Sequence, residues 1–196
     1  MRNTIFTVLL LLIQLSVKAQ TQKGRWNAGV SIGQFSYQKD DVSNSFSGSI
    51  SPTVGYFVAT NFLLGIGVPL SYSTQNYSGY SIIRNEHAIS IGASPFARYY
   101  VGSSKLKPYV GISYSLSHAN FHNENSLNTP SESNSESNST TLTPSLGLAY
   151  FLNQNISLDA QLGYNWYSSK ETLFGSSSYT YRNATLGIGF NIFFGG

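Results

Sequence analysis

Apolar and small polar residues alternate with a period of two along eight segments of this chain. The first segment sets Trp26, Ala28, Val30 and Ile32 against Asn27, Gly29 and Ser31. Similar runs follow at residues 50–56, 64–72, 89–99, 110–116, 142–150, 156–166 and 186–194. A period of two places successive side chains on opposite faces of a β-strand. The runs have the length that a tilted strand needs to cross a bilayer, so the pattern predicts an all-β fold of eight strands.

The composition of the second face indicates which side of these strands points outward. Charged residues make up only 10% of the chain and aromatic residues 14%. The residues between the apolar ones are mainly Gly, Ser, Thr and Asn, which suit a narrow polar lumen. A soluble barrel would instead expose a charged face to water. The sequence therefore predicts an eight-stranded antiparallel up-and-down transmembrane β-barrel; aromatic residues packed in a soluble core are the alternative.

The first nineteen residues have the pattern of a cleaved signal peptide. Arg2 precedes an apolar run at residues 5–15, and Val17, Lys18 and Ala19 form a cleavage site. The run is too short for a transmembrane helix, which needs about 20 apolar residues. We expect cleavage after Ala19 and a barrel domain over residues 20–196. The formal charge of +3 then falls to +1, so we expect no nucleic-acid partner. The lack of cysteine excludes disulfides and thiolate metal sites.

Short and long connections alternate between the predicted strands. The links near residues 58–61, 102–107 and 152–155 are short, whereas those at about 38–46, 74–85, 117–141 and 168–182 are long. Outer-membrane barrels show this alternation, with tight periplasmic turns and longer extracellular loops. The third long segment is rich in Ser and Asn, which predicts a mobile loop. It is either a surface for an external ligand or a solvated spacer.

Aromatic residues cluster near the ends of the runs, as in the interfacial girdles of membrane proteins. The expected periplasmic girdle contains Trp26, Tyr56, Phe57, Phe62, Tyr99, Tyr100, Tyr109, Tyr150 and Phe194. The expected outer girdle contains Tyr37, Tyr72, Tyr164, Trp166 and Tyr167.

Several short motifs resemble those of a known family. These are Gly55-Tyr56-Phe57-Val58-Ala59-Thr60-Asn61, Ser94-Pro95-Phe96-Ala97-Arg98-Tyr99-Tyr100 and Lys107-Pro108-Tyr109-Val110-Gly111. They are similar to periplasmic hairpins of small barrels of the OmpX and OmpA type, and most of all to the outer membrane protein beta-barrel domain proteins of Bacteroidetes-like bacteria. The resemblance covers roughly residues 24–194 and implies insertion by the barrel-assembly machinery. It departs at the end of the chain, where Gly195 and Gly196 replace the usual terminal aromatic residue.

Two charged residues fall on the inward parity of their strands. Arg98 and Asp159 both lie near the predicted periplasmic end. Because an isolated charge in the lumen is costly, we expect the two to pair, with Gln161 and Asn165 extending a polar network above them. This network either plugs the barrel or gates a narrow ion path.

No residue is assigned a catalytic or metal-binding role. His118 and His122, with Ser115, Ser117 and Glu124 nearby, are the strongest candidates for a lipid-modifying Ser/His pair or a metal site. Serine is so frequent that such proximity is expected by chance, and His87 beside Glu86 has the position of an interfacial residue. No cofactor is expected.

The sequence therefore predicts a protein of the cell outer membrane that is not an enzyme. Its expected role is structural or surface-interacting, through mobile extracellular loops, with outer-membrane lipid and lipopolysaccharide as surroundings. A narrow porin-like channel is the alternative, and a lipid-modifying enzyme comes third. A general diffusion porin is excluded, because an eight-stranded barrel is only wide enough for side chains to fill it.

Overall fold

The computed structural model describes residues 20–79, 82–127, 129–171 and 177–195. The predicted signal peptide, residues 1–19, lies outside this part of the chain. The described residues form nine strands: β1 (Trp26–Lys39), β2 (Ser43–Ala59), β3 (Phe62–Gly67), β4 (Leu70–Gly79), β5 (Ile82–Tyr100), β6 (Leu106–Leu127), β7 (Thr129–Phe151), β8 (Ile156–Glu171) and β9 (Ser177–Phe194). No helix in these residues is long and apolar enough to cross a membrane.

The strands close into a ring of eight spans. β3 and β4 together form the third span, since both pair with β2 and with β5, and each span pairs antiparallel with the spans next to it in the sequence. The ring closes where β1 pairs with β9, from Trp26 opposite Phe194 to Gly33 opposite Gly187. The predicted eight-stranded up-and-down barrel is confirmed. We call the end that carries residues 20–25 and 194–195 the base, and the opposite end the rim.

The third span is interrupted where the sequence places a proline. Val68 and Pro69 separate β3 from β4, because proline has no N–H to donate to the ladder. The pairing survives through other groups: the N–H of Val68 donates to Pro52 O at 2.9 Å, and the N–H of Gly92 donates to Pro69 O at 3.0 Å. The span therefore stays in the ring across its break.

Strands extend through most of the segments that were expected to be loops. Only residues 40–42 lie outside strands in the expected loop 38–46, and there Asp40 accepts bonds from the N–H groups of Val42 and Ser43. In the expected loop 117–141, β6 and β7 pair continuously from Ser117 opposite Ser139 to Leu127 opposite Thr129. The described parts of 74–85 and 168–182 are likewise paired strand. Ladder hydrogen bonds need only the backbone, so a segment without apolar residues still forms a hairpin.

The outward face of the ring is apolar and bordered by aromatic side chains. Ile89, Val110, Leu146 and Leu186 are among its exposed residues. Near the base, Trp26, Tyr99, Tyr150 and Phe194 are exposed, and half-buried Tyr56 packs on Trp26; nearer the rim, Tyr72, Tyr164 and Trp166 are exposed. All eight lie on the outward face, and their role as two interfacial girdles stays a prediction.

Four aromatic residues assigned to the girdles point into the lumen instead. Phe57, Tyr100 and Tyr109 are buried, and Tyr167 lines a cavity inside the barrel. Each has the parity opposite to its outward neighbour, such as Tyr56 or Tyr99, and parity fixes the face on which a strand residue lies. The girdle prediction was wrong for these four.

Candidate functional site

A layer of aromatic side chains fills the lumen at the base. Phe57, Tyr100, Tyr109, Phe151 and Phe193 are all at most 2% exposed. Their rings make a chain of contacts, with centroids separated by 5.2 Å for Tyr100–Tyr109, 5.9 Å for Phe57–Tyr100, 6.1 Å for Phe57–Phe193 and 5.1 Å for Phe151–Phe193. These are favourable separations for tilted ring pairs. We call these five residues the base layer.

Arg25 fastens the N-terminal segment beneath the base layer. Among the described residues, its guanidinium donates hydrogen bonds to Gly195 O at 3.2 Å, Gln20 O at 3.3 Å, Gln154 O at 2.9 Å, Asn155 Oδ1 at 2.8 Å and Phe193 O at 3.1 Å. One side chain thus connects residue 20, the turn between β7 and β8, and the end of β9. Bonds from a charged donor are stronger than neutral ones, so the segment is held firmly across the base.

Lys107 supplies a second contact between the barrel wall and this segment. It is 4% exposed and donates from Nζ to Thr21 Oγ1 at 2.8 Å. Thr21 in turn donates to Asn61 Oδ1, in the turn between β2 and β3. The ammonium also lies 5.5 Å from the centroid of the Phe151 ring, a distance suited to a cation–π contact. The base is therefore closed by a ring layer and by a strapped chain segment.

Arg98 and Asp159 meet in the lumen directly above the base layer. Nη1 of Arg98 lies 3.6 Å from Oδ2 of Asp159, and the two side chains are 13% and 3% exposed. The Arg98 guanidinium also lies 5.0 Å from the Phe96 ring centroid and 5.2 Å from that of Tyr109. The Ser157 hydroxyl donates to Asp159 Oδ1 at 2.7 Å. The pair is thus surrounded by groups that offset part of its desolvation.

The two amide residues of the expected network occupy different layers. Gln161 Oε1 accepts from Arg98 Nη2 at 3.4 Å and from the Tyr109 hydroxyl at 3.1 Å. Asn165 bonds instead with a separate group nearer the rim, formed by Thr143, Asn183 and Thr185. Four strand residues span about 13 Å, which keeps the Asn165 group apart from the ion pair. Arg98, Asp159 and Gln161 therefore lie together, whereas Asn165 belongs to a separate cluster.

The lumen above the ion pair contains cavities. One of about 150 Å³ is lined by Arg98, Asp159 and Gln161 together with residues of β1 and β9. A larger one of about 460 Å³ lies nearer the rim and is lined mainly by hydroxyl-bearing residues such as Ser90, Ser117 and Thr141. The lumen therefore widens from the closed base toward the rim.

The strand geometry separates the Ser and His residues considered for catalysis. His118 and His122 share the outward parity of Tyr114 and Leu116, whereas Ser115 and Ser117 point inward. Adjacent parities lie on opposite faces of the sheet, so no Ser/His pair forms from them. Within the described residues no group of three acidic, His or Cys side chains is placed to hold a metal ion. His87 contacts the Tyr72 hydroxyl at 3.5 Å.

The hairpin of β6 and β7 sorts its side chains by charge. Residues 117–127 and 129–141 extend past the last outward apolar residues, Leu116 and Leu142; we call this part the rim hairpin. Its outward positions carry His118, Asn120, His122 and Glu124 on β6, opposite Asn138, Glu136, Asn134 and Glu132 on β7. The inward positions of β7 at 131–139 are all serine. The titratable residues thus lie together on one face.

His122 is held by acceptors on both sides of its ring. Nδ1 donates to Asn134 Oδ1 at 2.6 Å, and Nε2 donates to Glu124 Oε1 at 3.2 Å. These bonds, with the nearby charges of Glu124 and Glu132, raise the pKa of His122 above its usual value. Only the imidazolium donates from both nitrogens at once, so this arrangement stabilises the protonated form.

A closed ring of eight spans with an apolar, aromatic-bordered outer face defines an outer-membrane β-barrel. The model of the outer membrane protein beta-barrel domain family matches residues 5–191, so the chain belongs to that family. It is a protein of the Gram-negative outer membrane.

Solved structures of similar shape are also outer-membrane barrels. OprG from Pseudomonas aeruginosa is 13% identical, with a TM-score of 0.53 over 91% of this chain and 99% of that one. Neisserial surface protein A is 20% identical, with a TM-score of 0.46 over 86% and 95%. Ail, the attachment invasion locus protein of Yersinia pestis, is 16% identical, with a TM-score of 0.40 over 88% and 100%. No significant sequence match was found among curated proteins.

Proposed function

We propose that this protein is a non-conducting outer-membrane barrel whose rim presents an interaction surface to the cell exterior. The closed base is the observation that carries the proposal. The base layer fills the lumen, and Arg25 straps residues 20–25 across it. A continuous water path would have to pass both the base layer and residues 20–25. The base faces the periplasm in this proposal, and the rim hairpin projects outward.

The rim hairpin is the proposed contact region. Its paired strands carry residues 117–127 and 129–141 beyond the apolar face, and its outward positions combine His, Glu and Asn side chains. Groups of this kind suit polar surfaces more than lipid chains. The surroundings of the barrel are outer-membrane lipid and lipopolysaccharide, and the barrel-assembly machinery inserts it. The proposal includes neither a nucleic-acid partner nor an enzymatic activity.

Planar-bilayer recording tests the closed base. We expect no stable conductance from the purified barrel, and none from Phe194→Ala, which changes an outward residue beside the layer. A variant that weakens both barriers, Phe57→Ala and Phe193→Ala together with Arg25→Ala, should conduct. Steady unit conductance of the unmodified protein would contradict the proposal and support the narrow channel.

Shortening the hairpin tests the interaction surface. A variant that lacks residues 120–136 keeps the spans within the apolar band and removes most of the outward His and Glu residues. Cells that display this variant should adhere less to polar host or abiotic surfaces than cells that display the full chain at equal abundance. Equal adhesion would contradict a contact role for the hairpin.

A further inference from the structure

Gln20 is buried at the base of the barrel although its side-chain amide has no bonding partner. The residue is 1% exposed. Within the described residues, neither Oε1 nor Nε2 of Gln20 makes a hydrogen bond. Burying an amide without hydrogen bonds destabilises the folded state. The open side chain of glutamine is therefore a poor fit for this position.

The main-chain nitrogen of Gln20 poses a second problem, because cleavage after Ala19 would make this residue the N-terminus. A free α-amino group carries a positive charge at neutral pH. Two cationic side chains already contact this segment: Nη1 of Arg25 donates to Gln20 O at 3.3 Å, and Nζ of Lys107 donates to Thr21 Oγ1 at 2.8 Å. Both would repel an α-ammonium beside them, and burying that charge would be costly.

Cyclisation of Gln20 removes both problems. The α-amino nitrogen attacks Cδ of the side chain, the Cδ–Nε2 bond breaks, and ammonia leaves with a proton from the attacking amine. The reaction consumes no oxidant, reductant or other co-reactant. Its product, pyroglutamate, is a five-membered lactam that lacks the terminal charge and the two N–H donors of the side-chain amide. The ring keeps the main-chain carbonyl that accepts the bond from Arg25.

We propose that the mature N-terminus is pyroglutamate formed from Gln20, and that Arg25 and Lys107 hold the segment with this neutral ring beneath the base layer. The proposal rests on cleavage after Ala19. Cyclisation precedes folding, while the new N-terminus is still accessible in the periplasm, and the folded base then shields the ring from aminopeptidases. The base layer and the rim hairpin do not depend on the ring, so its failure would leave the proposed function standing.

Mass spectrometry of the protein from the outer membrane of its native host tests the modification. Free amines are blocked by reductive dimethylation at lysis in denaturant, so that a glutamine that is still open cannot cyclise later. Trypsin then releases residues 20–25, because it still cuts after Arg25. We expect this peptide to carry no label on its N-terminus and to be about 17 Da lighter than the open form, since ammonia is lost. Fragment ions should place the loss on Gln20 and not on Gln22.

Two variants are the controls for this measurement. Gln20→Asn keeps an amide but is one methylene too short to close the five-membered ring. Its N-terminal peptide should retain its full mass and carry the dimethyl label. Gln22→Asn changes an exposed glutamine two residues later and should leave the modification of Gln20 unchanged.

Protection of the ring by the base is a separate readout. Pyroglutamyl aminopeptidase should remove the ring from folded Arg25→Ala about tenfold faster than from the barrel without substitutions, because the bond to Gln20 O is lost. Lys23→Ala, which removes an exposed cation from the same segment, is the matched control and should not change the rate. If Arg25→Ala gives no heat-modifiable folded band, Lys107→Met loosens the segment from the barrel wall instead.

Three results would overturn the proposal. The first is a Gln20 peptide of full mass with a dimethylated N-terminus in the protein from native membranes. The second is a mature N-terminus at any other residue. The third is an equal rate of ring removal from Arg25→Ala and from the barrel without substitutions, which would show that the base does not hold the ring.

Discussion

Nη1 of Arg98 lies 3.6 Å from Oδ2 of Asp159 across the lumen. The two residues belong to β5 and β8, which are not neighbours in the ring. Their contact therefore joins opposite parts of the wall through the interior, which ladder hydrogen bonds cannot do. Arg98 also packs against Tyr109 of the base layer and against the ring of Phe96.

Removing one member of this pair should be costly. Asp159→Ala leaves the Arg98 charge in the lumen without its partner, and we expect a loss of about 3–5 kcal/mol in the free energy of unfolding. Urea unfolding from lipid vesicles measures it. The double variant Arg98→Met with Asp159→Leu should recover much of the loss.

The exposed pair Arg84–Glu86 is the matched control. Glu86→Ala should cost about 1 kcal/mol or less, as for surface ion pairs. A cost for Asp159→Ala no greater than that of Glu86→Ala would contradict the buried-pair interpretation.

The base layer should contribute to stability as a packed core. Phe193→Ala removes a buried ring that contacts both Phe57 and Phe151, so we expect a loss of about 3–5 kcal/mol. Phe194→Ala, one residue later and outward, should cost clearly less. The same unfolding measurement compares them, and equal losses would show that the inward ring packs no better than the outward one.

Two inward glycines should respond differently to a methyl group. A Cβ on Gly147 would overlap the ring of Tyr109, whereas one on Gly187 would make only an ordinary contact, 3.8 Å from Ile32 O. Gly147→Ala must displace Tyr109 from the base layer, at about 1–3 kcal/mol. Gly187→Ala should change stability by about 0.5 kcal/mol or less. Similar unfolding free energies for the two variants would contradict the observed packing of Tyr109.

The rim hairpin should be more stable at acidic pH than at alkaline pH. The bond to Asn134, then that to Glu124, raises the pKa of His122. Because the pKa of His122 is higher in the folded than in the unfolded state, the stabilisation that protonated His122 gives the hairpin is complete below the unfolded pKa of about 6.5. It is lost as the pH rises through the folded pKa. NMR titration of the His122 ring should show a midpoint above that of an unfolded peptide.

A neighbouring asparagine provides the control for this titration. Asn134→Ala removes the first contact and should lower the midpoint, whereas Asn138→Ala alters only the contact with His118. A midpoint that does not respond to Asn134→Ala would contradict the assigned cause.

The sequence predicts the spans well because lipid on one side and a narrow lumen on the other force strict alternation. The same parity placed Arg98 and Asp159 on the inner wall. Parity also predicts the inward residues of the base layer: Phe57 and Tyr100 each follow an outward aromatic residue, and Tyr109 precedes outward Val110. Aromatic clustering at strand ends does not distinguish the two faces of a strand, so it wrongly assigns these inward rings to a girdle.

Other features could not be derived from local pattern. Arg25 precedes β1, and apart from nearby Gln20 its acceptors among the described residues come from two distant parts of the chain, residues 154–155 and 193–195. The incomplete pairing of β1 with β9 depends on ring closure between the two ends of the chain. The polar composition of the rim hairpin predicts a loop, and this prediction was wrong. The strand signal was the period of two, since serine recurs at every second position from 131 to 139.

That repeated serine has an evolutionary consequence for the length of the hairpin. Deleting two residues shortens the hairpin but keeps the serines on its inward face and the His, Asn and Glu residues on its outward face. Deleting one residue moves every following side chain of that strand to the opposite face, because the side-chain period is two. Glutamates would then lie on the inward face of the hairpin and serines on the outward face. Natural variants of this projection should therefore differ by even numbers of residues.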